Sequence, residues 1–309
     1  MTSQTVRTSV IIPAYDAWDT LPRTLEALRP QIEGVGRELI LVESSGVVAR
    51  KDIERRWPWV HAITPRVRTF PGTGRNLALE YARGELLAFT DADAVPQPGW
   101  LDGLEAALTP EVDAVAGAVL NGTPWSAVGT SDYLLEFANW LPERQGRMLH
   151  GATCNLLVRR DVLVRAGGFP TDLWPGEDTI LTFRLGERGR LAFAPDARVF
   201  HLNRTRFSEL VRHQYRLGSS FGHVCREVDF PRRAFTRLPL APVAGPLRVP
   251  VLWLRLARWR RLRRGHAKVL PVALAGACAW SAGLTVAGTR RLLRRDRGTS
   301  RAGPTYFGR

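Results

Sequence analysis

Two carboxylates one residue apart, Asp91 and Asp93, close the apolar run Leu86-Leu87-Ala88-Phe89-Thr90. Hard divalent cations prefer carboxylate oxygens and keep positions open for phosphate oxygens, so a strand ending in such a pair is a place to hold one. In open α/β sheets, ligands collect beyond the carboxyl ends of the strands. The pair therefore points to a metal and a nucleoside-diphosphate group. In isolation an Asp-x-Asp would be read as a helix cap or loop decoration, and the surrounding elements decide between the two.

Those elements read as alternating strands and helices. Val10-Ile11-Ile12 is a buried strand ended by Pro13-Ala14-Tyr15, and Leu21, Leu25, Leu28 and Ile32 then recur at helical spacing behind Asp19 or Thr20 as cap. Leu39 to Val42 is a second strand, closed by a polar turn at Glu43 to Gly46, and a third lies near Val60 to Ile63. Gly72 to Asn76 open a helix, and Gly84-Glu85 turn it into the strand that carries Asp91 and Asp93. Past a helix marked by Leu101, Leu104 and Leu108, further strands are expected at Ala114 to Val119, Thr153 to Val158, Leu191 to Ala194 and Arg198 to Phe200. Helices are expected at Asp161 to Ala166, from Glu177-Asp178, and from Phe207 to about Phe221. The fold class is α/β, with a mostly parallel sheet flanked by helices. Three segments follow: 1–115, 116–231 as the second half of the same domain, and a tail, 232–309. The stretch from Trp125 to His150 carries no readable motif.

The chain has 309 residues, 45% of them hydrophobic, enough for a full core. Its formal net charge of +15 is unevenly placed: 18 of the 44 basic residues lie from Arg232 onward against one acid, Asp296. The preceding 231 residues hold 26 basic and 28 acidic side chains, which argues against a nucleic-acid groove across the domain. Basic residues interleaved with apolar stretches suit an anionic membrane surface. The apolar stretches run from Leu238 to Leu254, with Arg248 inside, and from Val269 to Thr289, which has no charge. The second is long enough to span a bilayer, yet basic flanks on both sides conflict with the positive-inside tendency, so an in-plane or re-entrant segment is the alternative to a crossing, and a buried helix a third reading. Cys154, Cys225 and Cys278 are odd in number and far apart, which predicts reduced, buried thiols. Met1 to Arg7 lack the apolar core of a secretion signal, so the catalytic part is expected in the cytoplasm, at the membrane face.

In chain order the landmarks are Val10-Ile11-Ile12-Pro13-Ala14-Tyr15, the Glu43 turn, Gly74-Arg75-Asn76, Asp91-Ala92-Asp93 followed by Pro96-x-Pro98-x-Trp100-Leu101, Gly167-Gly168-Phe169 and Gly176-Glu177-Asp178. This ordered set, over about Ser9 to Gly218, resembles the family-2 glycosyltransferases. The resemblance implies a GT-A-type, Rossmann-like fold, a nucleotide-diphosphate sugar donor, a divalent metal (Mn²⁺ or Mg²⁺), inversion at the anomeric carbon, and a glycan or lipid-linked acceptor. It also implies roles: Asp93 as metal ligand, Asp91 near the ribose or a metal-bound water, and His201 as a further metal ligand or a diphosphate contact. Pro13, Ala14, Tyr15 and Glu43 would meet the nucleobase, Glu43 standing where the family more often has Asp, and Arg75 would contact the diphosphate or the base side. Asp178 would be the general base, with Glu177 orienting it or the acceptor. Gln214-Tyr215-Arg216-Leu217-Gly218 is similar to the Gln-x-x-Arg-Trp element of processive relatives but lacks the Trp, which favours single addition over polymerisation. A sugar-nucleotide nucleotidyltransferase is the alternative, although Pro13-Ala14-Tyr15-Asp16 is not a Gly-rich phosphate loop. A membrane-binding protein with a vestigial site is another.

Overall fold

The computed structural model describes residues 6–144, 148–231, 233–236, 239–258 and 268–295. Met1 to Thr5, most of the basic flank between Arg258 and Lys268, and the chain beyond Arg295 lie outside the described residues. The chain folds into two compact units that are discontinuous in sequence: one from Met1–Leu120 and Trp140–Leu202, the other from Asn121–Asn139 and Asn203–Arg309.

The first unit is built on a mixed eight-stranded sheet. Its strands are β1 (Thr8–Ala14), β2 (Arg37–Glu43), β3 (Val60–Ile63), β4 (Leu86–Phe89), β5 (Ala94–Pro96), β6 (Ala114–Asn121), β7 (Leu156–Arg159) and β8 (Leu191–His201), in the spatial order β3-β2-β1-β4-β7-β6-β8-β5. The four strands β3-β2-β1-β4 run parallel, while β7 is antiparallel to both β4 and β6, and β5 to β8. The helices are α1 (Leu21–Ile32), α2 (Arg50–Arg56), α3 (Pro71–Leu79), α4 (Trp100–Ala106), α6 (Arg160–Arg165) and α7 (Glu177–Glu187), with α5 (Ala127–Phe137) belonging to the second unit. The core is the apolar set expected from the strand pattern: Val10, Ile11, Ile12, Leu39, Ile40, Leu41, Leu87, Ala88 and Phe89 are wholly buried. Continuous burial of this kind is what strands covered on both faces require.

Three details depart from the sequence expectation. Thr153–Asn155 forms a 3₁₀ turn before β7 rather than its first residues. The two short strands expected around Pro195 are one strand, β8, whose Pro195 and Asp196 are exposed, as a proline inside a strand must be at an edge or bulge. The three-residue β5 is too short to give a periodic signal. Asn155 holds the antiparallel half together: its amide donates to the Ala118 and Ala197 carbonyls at 2.9 and 2.8 Å, and its Oδ1 accepts the Trp100 indole N–H at 2.7 Å. A side chain on Gly117 would overlap Asn155 and the Ala197 carbonyl, so this junction admits only hydrogen there.

The second unit is helical: α5 is capped by Ser126, whose hydroxyl accepts the Gly129 N–H at 3.0 Å, and α8 (Phe207–Glu227), α9 (Ala241–Arg258) and α10 (Leu270–Arg295) follow. Backbones approach closely at small residues: a Cβ on Gly218 or Gly245 would overlap the carbonyls of Trp280 or Ala277. Arg248, the charge inside the first apolar stretch, points inward, donating to the Leu135 carbonyl at 3.1 Å with its guanidinium 5.0 Å from the Trp280 ring centre. The outward side chains of α9 and the residue before it, Leu240, Val243, Leu247, Val251 and Leu254, are all exposed. From Leu270 to Leu293, α10 is long and apolar enough by length and composition to cross a bilayer, with a mean hydropathy of 1.6. The thiols are free: Cys154 is buried as expected, but Cys225 is half-buried and Cys278 is exposed on α10.

Asn155→Ala removes three buried hydrogen bonds at once. It should cost about 2–4 kcal/mol in urea unfolding, since each stranded polar group is expensive. A loss below about 1 kcal/mol would mean that the junction is not cooperative.

Candidate active site

The parallel strands deliver their carboxyl ends to one edge of the first unit. Ala14 and Glu43 are register partners at the ends of β1 and β2, and the chain leaves β4 at Phe89, with the Thr90 N–H still bonded to the Ile11 carbonyl at 3.3 Å. The loop that follows is pinned at its middle residue, because Thr24 of α1 donates to the Ala92 carbonyl at 3.1 Å. Asp91 and Asp93 are thereby turned away from the core on either side of buried Ala92.

His201 meets this loop through strand register. Ala94 pairs with His201 in the β5–β8 ladder, and the Leu202 N–H donates to the Asp93 carbonyl at 2.8 Å. The His201 Nε2 lies 3.5 Å from Asp93 Oδ1. One ligand atom each from Asp91, Asp93 and His201 lies within 4.8 Å of the others. Two carboxylates and an imidazole are a donor set that fits a divalent cation with open positions, so these three residues can hold a metal.

The acidic pair from the other end of the unit reaches the same place through Arg75. Its guanidinium donates to Asp91 Oδ1 at 2.8 Å and to Glu177 Oε1 at 3.0 Å, bridging residues 16 and 102 positions away. Arg75 is 2% exposed and lies over the Phe169 ring, 5.3 Å from its centre. Burial works against its charge, but Asp91, Glu177 and Asp178 outweigh burial and hold its pKa above the ordinary value. The adjacent Asn76 clasps Phe169, donating to its carbonyl at 2.8 Å and accepting its N–H at 2.9 Å. Glycines make room for this contact: a Cβ on Gly168, whose φ is +75°, would sit 2.7 Å from Asn76 Oδ1, and one on Gly72 would sit 2.9 Å from Glu177 Cγ.

The two residues of the acidic pair have different surroundings. Glu177 is buried, its Oε1 taken by Arg75 and its Oε2 accepting the Gly176 N–H at 3.1 Å. Asp178 is half-buried; Oδ1 accepts the Thr179 N–H at 2.7 Å, and the Thr153 hydroxyl reaches Oδ2 at 3.5 Å.

At the ends of β1 and β2, Glu43 is 1% exposed. Its Oε1 accepts the Ser45 N–H at 3.0 Å, whereas Oε2 is buried with no hydrogen-bond partner. Ser44 binds back to the Ala14 carbonyl, Pro13 is half-buried, and Tyr15 is 45% exposed with the Arg68 guanidinium 3.8 Å from its ring centre. The first unit thus assembles Asp91, Asp93, His201, Arg75, Glu177 and Asp178 around one corner, with Pro13, Ala14, Tyr15 and Glu43 along the ends of β1 and β2. Asn76, Phe169, Thr153 and Arg68 were not assigned from sequence. Asn76 and Phe169 stand inside the recognised motifs and were within reach; Thr153 and Arg68 are isolated residues with no local signal.

Within the second unit, Asp132, Glu136 and His213 also bring ligand atoms within 4.8 Å of one another. Arg204 already places its guanidinium 3.0 Å from Asp132 and 3.7 Å from Glu136, so a built-in cation balances that cluster.

Burial raises the Glu177 carboxyl from its ordinary 4.5 to about 7; Asp178 adds to the rise and Arg75 opposes it. An acid with a raised folded-state pKa holds its proton longer when folded, so its contribution to stability is complete below the unfolded value and lost as pH climbs through the folded one. Wild type should therefore lose Tm relative to Glu177→Gln between pH 5 and pH 8. A Tm difference that stays constant over this range would show an ordinary carboxyl.

Comparison with known proteins identifies the family and the fold. The Glycosyl transferase family 2 profile matches residues 9–163. Glycosyltransferase AglE of Haloferax volcanii is 30% identical over 226 residues, covering 71% of this chain and 74% of that protein. The pre-mycofactocin glycosyltransferase of Mycobacterium tuberculosis is 28% identical over 158 residues, 48% of this chain and 34% of that protein. Among solved structures, the mannosyltransferase PcManGT from Pyrobaculum calidifontis, in complex with GDP-Man and Mn²⁺, superposes with a TM-score of 0.60 at 21% identity, covering 94% of this chain and 88% of that one. Glucosyl-3-phosphoglycerate synthase from M. tuberculosis, with Mn²⁺, UDP-glucose and phosphoglyceric acid, gives 0.50 at 21% identity over 73% and 80%. The α/β sheet is thus that of the GT-A fold, and the chain belongs to the family-2 glycosyltransferases.

Proposed function

We propose that this glycosyltransferase is inverting and metal-dependent, and moves a sugar from a nucleotide-diphosphate donor to a lipid-linked or envelope-glycan acceptor at the cytoplasmic face of the membrane. The observation that carries the chemistry is the convergence of Asp91, Asp93 and His201 with Glu177 and Asp178 around Arg75. Membership of the family sets aside the nucleotidyltransferase alternative.

Inverting transfer is one in-line displacement: the acceptor oxygen bonds to the anomeric carbon as the bond to the diphosphate breaks, and the acceptor proton must go to a base. Asp93, His201 and Asp91 would hold the cation, Mn²⁺ or Mg²⁺, which when bound supplies charge neutralisation for the departing diphosphate. Asp178 would take the proton, with Glu177 held beside it by Arg75. Glu43 would read the nucleobase: a buried carboxylate oxygen without a partner is costly, and an N–H from a base edge would satisfy it. Pro13, Ala14 and Tyr15 would line the same edge.

The membrane part rests on the second unit. The outward apolar side chains of α9, the composition of α10 and the basic residues around them fit anionic lipid: apolar side chains enter the interface while Lys and Arg meet the headgroups.

A thermal-shift screen of nucleotide sugars with and without Mn²⁺ should single out one donor, with a shift that Asp93→Ala abolishes. Asp178→Asn should keep that shift while losing turnover by a factor on the order of 100 or more, as expected for removal of a general base. Well-folded variants with wild-type turnover would refute the chemical assignment. In flotation with phosphatidylglycerol vesicles, wild type should rise with the lipid, and Leu247→Asp/Val251→Asp should remain largely in the heavy fraction. Equal flotation of the two would show that α9 is not the contact face.

A further inference from the structure

The buried guanidinium at the centre of the site is already engaged by protein groups. Both Arg75 Nη atoms are committed to carboxylates, its Nε is buried without a partner, and its face is covered by Phe169. To reach a phosphate it would have to release Asp91 or Glu177. A rigid planar fork can hold two carboxylates at fixed angles, which a lysine ammonium, a point charge, cannot.

We propose that Arg75 is a positioning residue: it fixes Asp91, on the metal side, and Glu177, at the start of α7, in one geometry, and so aligns Asp178 with the metal corner without touching the donor. This rests on the glycosyltransferase reading above. Asp91, Glu177 and Asp178 all act electrostatically on this one cation, and Glu177 adjoins Asp178 in the first turn of α7. Loosening the bridge frees the Asp91 loop and the α7 start to separate.

The variants are Arg75→Lys and Arg75→Met, with Arg75→Met/Glu177→Gln as the version that removes both buried charges and protects folding. Hydrogen exchange of the protein without ligands should accelerate by about tenfold or more in segments 88–96 and 173–182 while β1 and β2 stay protected. With the donor found by the thermal-shift screen, kcat should fall on the order of 100-fold, the scale of an ångström's misplacement. The donor KM should rise far less than kcat falls, because Arg75 itself does not touch the donor and the loop it steadies keeps its metal-binding carboxylates. The double variant should regain Tm without regaining turnover.

A donor KM that rises in step with the loss of kcat would show direct donor contact and overturn the proposal. So would unchanged exchange in both segments, or full turnover in the double variant. If no nucleotide sugar binds or turns over, the glycosyltransferase chemistry fails, and the exchange measurement alone decides whether Arg75 holds the two segments.

Discussion

A buried positive charge is the constraint from which the architecture of the first unit follows. Arg75 sits in the second turn of α3 with its guanidinium inside the protein, and the cost of desolvating a cation there is met only by acid partners at hydrogen-bonding distance. The partners come from the loop after β4 and from the first residue of α7. Losing both would leave the guanidinium uncompensated, at a cost of about 3–5 kcal/mol. The parallel half of the sheet and the helix at the other end of the unit are therefore tied by one side chain. Asn76 repeats the arrangement with uncharged groups, clasping both polar atoms of the Phe169 backbone.

Close approach explains why glycines surround these contacts. Phe169 can reach Asn76 because Gly168 adopts a left-handed conformation and offers no Cβ, and α3 can reach Glu177 because Gly72 is bare. Short motifs scattered over a hundred residues thus have one spatial reason: each supplies a part of the packing around Arg75 and Asn76. Ladder register does the same for the metal corner, since the pairing of Ala94 with His201 leaves Asp93, one residue earlier, facing the imidazole.

What could be read from the sequence follows from this. Strands such as Val10 to Ile12 and Leu39 to Val42 were legible because burial on both faces demands continuous apolar runs, and α1 because Leu21, Leu25, Leu28 and Ile32 repeat at its pitch. Asp91, Asp93, Glu177 and Asp178 were legible as types, since two acidic pairs in an apolar context are unusual. Their meeting through Arg75 was not, because a contact across 102 positions leaves no local periodicity. α5 was missed although Ser126 caps it, since its apolar content is spread around the helix rather than confined to a stripe. Arg248 read as an interruption of an apolar stretch; in the structure its guanidinium lies over the Trp280 ring, and Leu247, Val251 and Leu254 form an exposed apolar face.

The same environment distinguishes two neighbouring carboxylates of nearly identical chemistry. Both oxygens of Glu177 already accept bonds, from Arg75 and from the Gly176 N–H, and its burial raises its pKa to about 7. A group so engaged can transmit position but would break the bridge if it turned to take a proton. Asp178 is half-buried, its Oδ1 accepting the Thr179 N–H at 2.7 Å and its Oδ2 approached by the Thr153 hydroxyl at 3.5 Å. On the reading proposed above, proton transfer would fall to Asp178 and alignment to Glu177, whose two oxygens are committed to Arg75 and the Gly176 N–H. On that reading the division of labour would follow from the hold that Arg75 has on Glu177.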